Sequence, residues 1–242
     1  MEDVVNGLIG LSGVLAILLL AGGVFGLLDR RHFAPRWLLV AGLLVAVNDA
    51  LLTRAWGTLP DLLPDSDWNW QGKLLALAAT LAIAALPAFG WRRVGLTLEQ
   101  APGSLTSALP VVALYCALMV ALALAFPNDP PTGEAIAFQL TMPGLEEEPF
   151  YRGVLLFALY RAFTRRVRLL GVDWGWGAVL SCLAFGLAHG FGFSDGGFSF
   201  DPLVFTLTAL PSFIAVWVAL RTGSLLLPVV MHNLGNLAFL TL

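Results

Sequence analysis

Charge is scarce in this sequence. Only 12% of its 242 residues are Asp, Glu, Lys or Arg, about half the ~25% usual in soluble domains. With 58% hydrophobic residues and a mean hydropathy of +0.83, that scarcity excludes an ordinary water-soluble surface. The net charge is −3 and no basic tract is long, which excludes nucleic-acid binding. The two cysteines, Cys116 and Cys182, both fall in apolar stretches. They exclude a disulfide framework or a Cys-rich metal site and read as small buried hydrophobes. No H-E-x-x-H run is present, so the metal-binding helix of that protease class is excluded too.

What is abundant is long apolar sequence, the mark of membrane spans. Polar or Pro/Gly-rich breaks such as "DRRHFAPR", "PDLLPDSDWNW", "PNDPPTG" and "SDGGFSFDP" divide it into eight expected helices. These cover roughly 4–28, 37–53, 73–91, 107–126, 134–163, 174–193, 202–221 and 224–242. The expected fold is all-α, a polytopic integral membrane protein of about eight transmembrane helices in one membrane domain, 1–242. The opening "MEDVV" is acidic where a secretory signal is basic, and the apolar run after it is too long for one. It is expected to remain as the first span.

Basic residues set the expected orientation. Loops following helices one, three, five and seven carry Arg30, Arg31, Arg36, Arg92, Arg93, Arg161, Arg165, Arg166, Arg168 and Arg221. The other loops carry only Arg54 and Lys73. This bias puts the arginine-rich loops in the cytoplasm and both termini outside. Trp37, Trp91, Trp174 and Trp176 then lie at cytoplasmic helix ends, as an interfacial belt does. One lysine beside twelve arginines fits a GC-rich bacterial genome, and so a bacterial plasma membrane.

Against this background "GLEEEPFYRGVLLFALYRAF", residues 144–163, stands out. Each charged group near a span's centre costs ~2.5–3.5 kcal/mol on insertion scales. Glu146, Glu147, Glu148 and Arg152 together require partners or a wet cavity from neighbouring helices. Glu148 and Arg152 are four apart, share a helical face and are expected to pair. Glu147 lies on the adjacent face with no cation at helical reach. A purely architectural ion-pair knot would leave this second carboxylate unexplained. Pro143, Gly144 and Pro149 point to a helix that breaks or restarts here, with the glutamates near a half-helix N-terminus whose dipole favours anions.

Two of the three histidines also fall inside spans: His189 in "FGLAHGFG" and His232 in "VVMHNLGNLAF". His32 sits in a loop and reads as solvated. His232 and Asn236 share a helical face, while Asn233 points elsewhere. Phe185 lies one turn before His189, and Gly186 and Gly190 allow a close helix contact. Glu147 and His189 can hold a water and take its proton. His232 and Asn236 can donate to a developing oxyanion, with Glu148 and Arg152 bracing the glutamate helix. That set suits hydrolysis of a peptide bond without a Ser, Thr or Cys nucleophile.

These pieces resemble the CAAX prenyl protease and bacteriocin-processing (ABI) family, which includes the type II CAAX prenyl endopeptidases. Its pattern, EExxxR, FxxxH and HxxxN on separate helices, reads here as "EEPFYR" (Glu147, Glu148, Arg152), "FGLAH" (Phe185, His189) and "HNLGN" (His232, Asn236). The arginine spacing leaves Glu146 outside the motif. The resemblance covers about 105–242, a protease-like core, whereas helices within 1–104 carry no recognised motif. It implies an eight-helix intramembrane endopeptidase of the glutamate type. Glu147 and His189 activate water and His232 and Asn236 form the oxyanion site. The implied partner is a membrane-embedded or lipidated, possibly prenylated, peptide, and no cofactor is implied.

Four rivals compete. A zinc protease would use Glu147, His189 and His232 as ligands, a reasonable donor set. A rhomboid-type serine site would rest on "GLSG" at 10–13, a pattern common in spans as a packing motif. An aspartyl protease needs two intramembrane aspartates where only Asp49 qualifies; Asn48 and Asp49 are expected to bond between helices. A transporter or scaffold would also bury Glu, His and Arg. The sequence leaves open which membrane face the site meets.

Overall fold

The computed structural model describes residues 2–126 and 130–241. α1 spans Glu2–Leu28 and α2 Pro35–Leu52, with a tight turn at Arg30–His32 between them. A four-residue turn, α3 (Arg54–Gly57), follows, with Arg54, Ala55 and Trp56 at positive φ. α4 is Trp70–Ala85 and α5 is Leu105–Ala125. α6 (Gly133–Glu147) runs straight into a π-helical stretch, Glu148–Leu155, and then α7, Leu156–Ala162. The strands β1 (Val167–Leu169) and β2 (Val172–Trp174) pair antiparallel before α8, Trp176–Gly190. A second hairpin, β3 (Phe191–Ser194) and β4 (Gly197–Phe200), leads to α9 (Pro202–Thr222) and α10 (Leu226–Thr241).

Several expectations change. The fold is mostly helical rather than all-α, because each end of α8 carries a hairpin. The helix expected over 174–193 is shortened to α8 for that reason. The one expected over 73–91 stops at Ala85, since Pro87 follows and Gly90 adopts φ +83°. Among the described residues four helices, α1, α2, α5 and α9, are long and apolar enough to cross a bilayer by length and composition, against the eight spans expected. The shorter apolar helices α4, α8 and α10 have 16, 15 and 16 residues. Residues 127–129 of the "PNDPPTG" break lie outside the described residues.

The glutamate helix does not break. α6 passes through Pro143, and Pro149 enters the π-helical turn. Proline has no N–H and crowds the carbonyl four residues back; a widened turn accommodates Pro149 without interrupting the helix. The glutamates therefore sit mid-helix, not at a half-helix N-terminus, and the dipole argument does not apply. π-helical turns of this kind recur at functional sites.

The π-helical stretch and α7 form the centre of the bundle. Val154, Leu155, Ala158 and Leu159 are wholly buried against Leu18 of α1, Ala41 of α2 and Leu180 of α8. Small residues set the spacings. A Cβ on Gly186 or Gly190 would come within 2.8 Å of α9 atoms of Phe205 or Ala209. "GLSG" does the same on α1: Gly13 faces Phe191 and Phe198, and Ser12 bonds its own helix at Leu8 O. By contrast Leu20, Leu114 and Leu203 are 70%, 73% and 66% exposed on the outer surface. A surface of long apolar helices facing outward is that of a membrane protein.

Candidate active site

The three glutamates are buried: Glu146 is 0%, Glu147 8% and Glu148 1% exposed. Each charge has a partner. Arg152 Nη1 lies 3.3 Å from Glu148 Oε1, the expected i,i+4 pair. Its guanidinium rests 4.1 Å from the centre of the Phe185 ring, so Phe185 supplies a cation–π surface. Arg152 Nε has no hydrogen-bond acceptor, so ring and charge hold this side chain more than directed bonds do.

The partner of Glu147 comes from outside its own helix. Lys73, on the first turn of α4, places Nζ 2.5 Å from Glu147 Oε1 and 2.8 Å from Glu146 Oε2. The chain's one lysine read in the sequence as a stray loop charge; it lies inside the bundle. The only signal that could have found it was an excess of three glutamates over one arginine. Glu147 Oε2 has no hydrogen-bond partner among the described residues. It faces His232 Nε2 at 3.7 Å.

His232 bridges two carboxylates. Its Nδ1 lies 2.7 Å from Glu148 Oε1, which leaves the Nε2 edge toward Glu147 and the open space. Asn236, one turn on, donates Nδ2 to Gln139 Oε1 at 3.0 Å. His189 is exposed, and its Nδ1 lies 2.8 Å from Phe185 O, on its own helix. Phe185 packs against both imidazoles, with ring centres 4.6 Å from His189 and 6.3 Å from His232.

Asn233, which faces away from His232, clamps the glutamate helix. Gly144 N donates to Asn233 Oδ1 at 2.7 Å, and Asn233 Nδ2 donates to Thr141 O at 3.1 Å. A Cβ at Gly144 would sit 2.5 Å from that oxygen, so the residue must be glycine for α10 to approach. Asn48 of α2 lies against Glu146. Asp49 instead accepts from Trp56 Nε1 at 3.0 Å, a local bond rather than one between spans.

All seven motif residues, Glu147, Glu148, Arg152, Phe185, His189, His232 and Asn236, line one cavity of about 390 Å³, together with Lys73, Tyr115 and Gln139. A wider apolar cavity of about 760 Å³ adjoins it between α5, α9 and α10, sharing Tyr115, Met119 and Asn236 among its walls. Among the described residues, no three His, Cys, Asp or Glu side chains group closely enough to hold a metal ion. His232 meets Glu148 through Nδ1 and Glu147 meets Lys73 through Oε1, which leaves His232 Nε2 and Glu147 Oε2 turned to each other at 3.7 Å.

Residues 133–238 match the family model "Type II CAAX prenyl endopeptidase Rce1-like". The matched segment holds every motif residue and leaves Lys73 outside it. No curated protein and no solved structure matches the chain significantly. The match takes in a little under half of the chain, and over that segment this apolar, mostly helical protein is similar to the CAAX prenyl endopeptidases.

Proposed function

We propose that the protein is an intramembrane endopeptidase in which Glu147 activates water for attack on a peptide bond of a membrane-associated peptide. One observation carries the reading. Glu147 has one oxygen fixed by Lys73 and the other unpaired, facing His232 across a cavity that all the motif residues share.

Glu147 Oε2 takes a proton from water, and the hydroxide adds to the scissile carbonyl carbon. Charge builds on the carbonyl oxygen, where the second N–H of Asn236 Nδ2 and an imidazole N–H stabilise it. The C–N bond then breaks, and the proton held by Glu147 passes to the departing nitrogen. His189, at the exposed side, joins Glu147 in holding the water. Glu148 fixes the tautomer and tilt of His232, and Arg152 with Phe185 holds Glu148. The adjoining apolar cavity takes the hydrophobic part of the peptide. No metal enters the steps.

The test is cleavage of a model membrane peptide by purified protein. Glu147→Gln abolishes cleavage with folding intact. Wild-type turnover in that variant overturns the reading. Metal analysis and activity after exhaustive chelation address zinc: retained activity without bound metal removes it.

A transporter needs a path to both faces. Here Arg152 borders both the site and a separate cavity of about 210 Å³ that Arg92 and Arg93 also line. Arg152 is only 5% exposed and lies between the two. This favours a one-sided site.

A further inference from the structure

The bundle has two chemically opposite ends, and the cavity belongs to one of them. Main-chain bonds gather the arginine-rich loops together. Thr164 N donates to His32 O, Ala34 N to Ala162 O, Ala101 N to Thr222 O and Leu225 N to Gly95 O, while Trp217 Nε1 reaches Leu170 O. All ten loop arginines of the sequence bias thus share one end. At the other end stand Asp61, Asp65, Asp67, Glu134, Asp195 and Asp201, with two basic residues, Arg54 paired to Asp61 at 2.8 Å and Lys73 paired to Glu146 and Glu147. Contacts stitch that end too: Trp70 Nε1 donates to Glu134 at 3.0 Å, and Asp201 N to Gly190 O at 2.8 Å.

The cavity is graded along this axis. At the acidic end its walls are Lys73 on the first turn of α4, Gln139 on α6, exposed His189 at the end of α8, and Leu207 and Thr208 early in α9. Toward the basic end it stops at Arg152 and Met231, which are 5% and 2% exposed. Basic residues in short loops mark the cytoplasmic side. We infer that the site opens to the non-cytoplasmic half of the membrane, so that its substrate is a peptide bond presented from that side and not a lipidated tail reaching up from the cytosol. The inference rests on the protease reading for the word substrate, but the sidedness stands on charge and geometry alone.

Two measurements test it. In full-length protein with Cys116→Ala and Cys182→Ala, single cysteines are placed at the hairpin turns as Asp195→Cys and Leu170→Cys. A membrane-impermeant maleimide labels Asp195→Cys in intact cells and Leu170→Cys only after permeabilisation. The reverse pattern, or equal labelling of both, overturns the inference. Model peptide is then supplied to detergent-solubilised protein and to right-side-out and inverted membrane vesicles. Cleavage in detergent and by right-side-out vesicles supports it; cleavage in detergent and only by inverted vesicles overturns it. No cleavage in detergent, where both faces are accessible, removes the protease reading and leaves the labelling result to decide sidedness.

Discussion

Lys73 Nζ stands 2.5 Å from Glu147 Oε1, across 74 residues of chain. This contact joins the N-terminal helices to the segment that carries the motifs. It fixes one oxygen of Glu147 and so decides which oxygen meets the cavity. Removing a partner from a buried ion pair costs ~3–5 kcal/mol. Lys73→Met is therefore expected to lower stability by that order and to cut cleavage sharply. Lys73→Arg, which keeps the charge, should recover most of the stability. Thermal unfolding in detergent and cleavage rates on the same preparations check both. Unchanged stability and activity in Lys73→Met would show that the contact does not hold the carboxylate.

Glu148 and Arg152 form a buried pair whose members depend on each other. Glu148→Gln leaves Arg152 charged and without its carboxylate, and Arg152→Met leaves the buried Glu148 with His232 in place of a fixed cation. Each single change should cost ~3–5 kcal/mol. The double variant should cost clearly less than the sum, because neither buried charge then remains. A double-mutant cycle read from denaturation midpoints measures this. Additive losses would mean that His232, not Arg152, is the working partner of Glu148.

The legible part of this site was whatever helix period alone dictates. The i,i+4 spacing gave the Glu148–Arg152 pair, the shared face of His232 and Asn236, and the close approach at Gly186 and Gly190. Contacts between distant helices were not legible. Lys73 reads as a loop charge until α4 begins at Trp70, where Asn69 caps it by accepting from Gly72 N at 3.0 Å. Asn233 was set aside for facing away from His232, yet that direction is the one that meets Gly144. The prolines were misread for a physical reason. A proline removes one N–H and leaves a carbonyl four residues back without its donor, and a helix can absorb that loss by widening its turn, as at Pro149.

At Gly144 α6 and α10 pack with no room for a side chain. An added methyl would lie 2.5 Å from Asn233 Oδ1 and 2.7 Å from Val229 O. Gly144→Ala should therefore cost ~1–3 kcal/mol, as overpacking does, and it pushes His232 away from Glu147. Gly133→Ala is the control, since no described atom lies within 4 Å of its Cβ position. Its effect should stay within ~0.5 kcal/mol. Comparing the two unfolding midpoints tests the clamp; equal shifts would count against it.

Asn236 offers the clearest separation of chemistry from packing. One of its amide hydrogens is engaged by Gln139 Oε1 at 3.0 Å, and in the proposed mechanism the other donates to the oxyanion. Loss of a single such donor typically lowers kcat by ~10²–10³-fold with little change in KM. Asn236→Ala should follow that pattern. Gln139→Ala frees the amide to rotate but leaves the donor in place, so a smaller loss is expected. Steady-state kinetics on a model peptide distinguish the cases. If Asn236→Ala raises KM and spares kcat, the amide binds the peptide's ground state, and the oxyanion must be met by His232 and His189 alone.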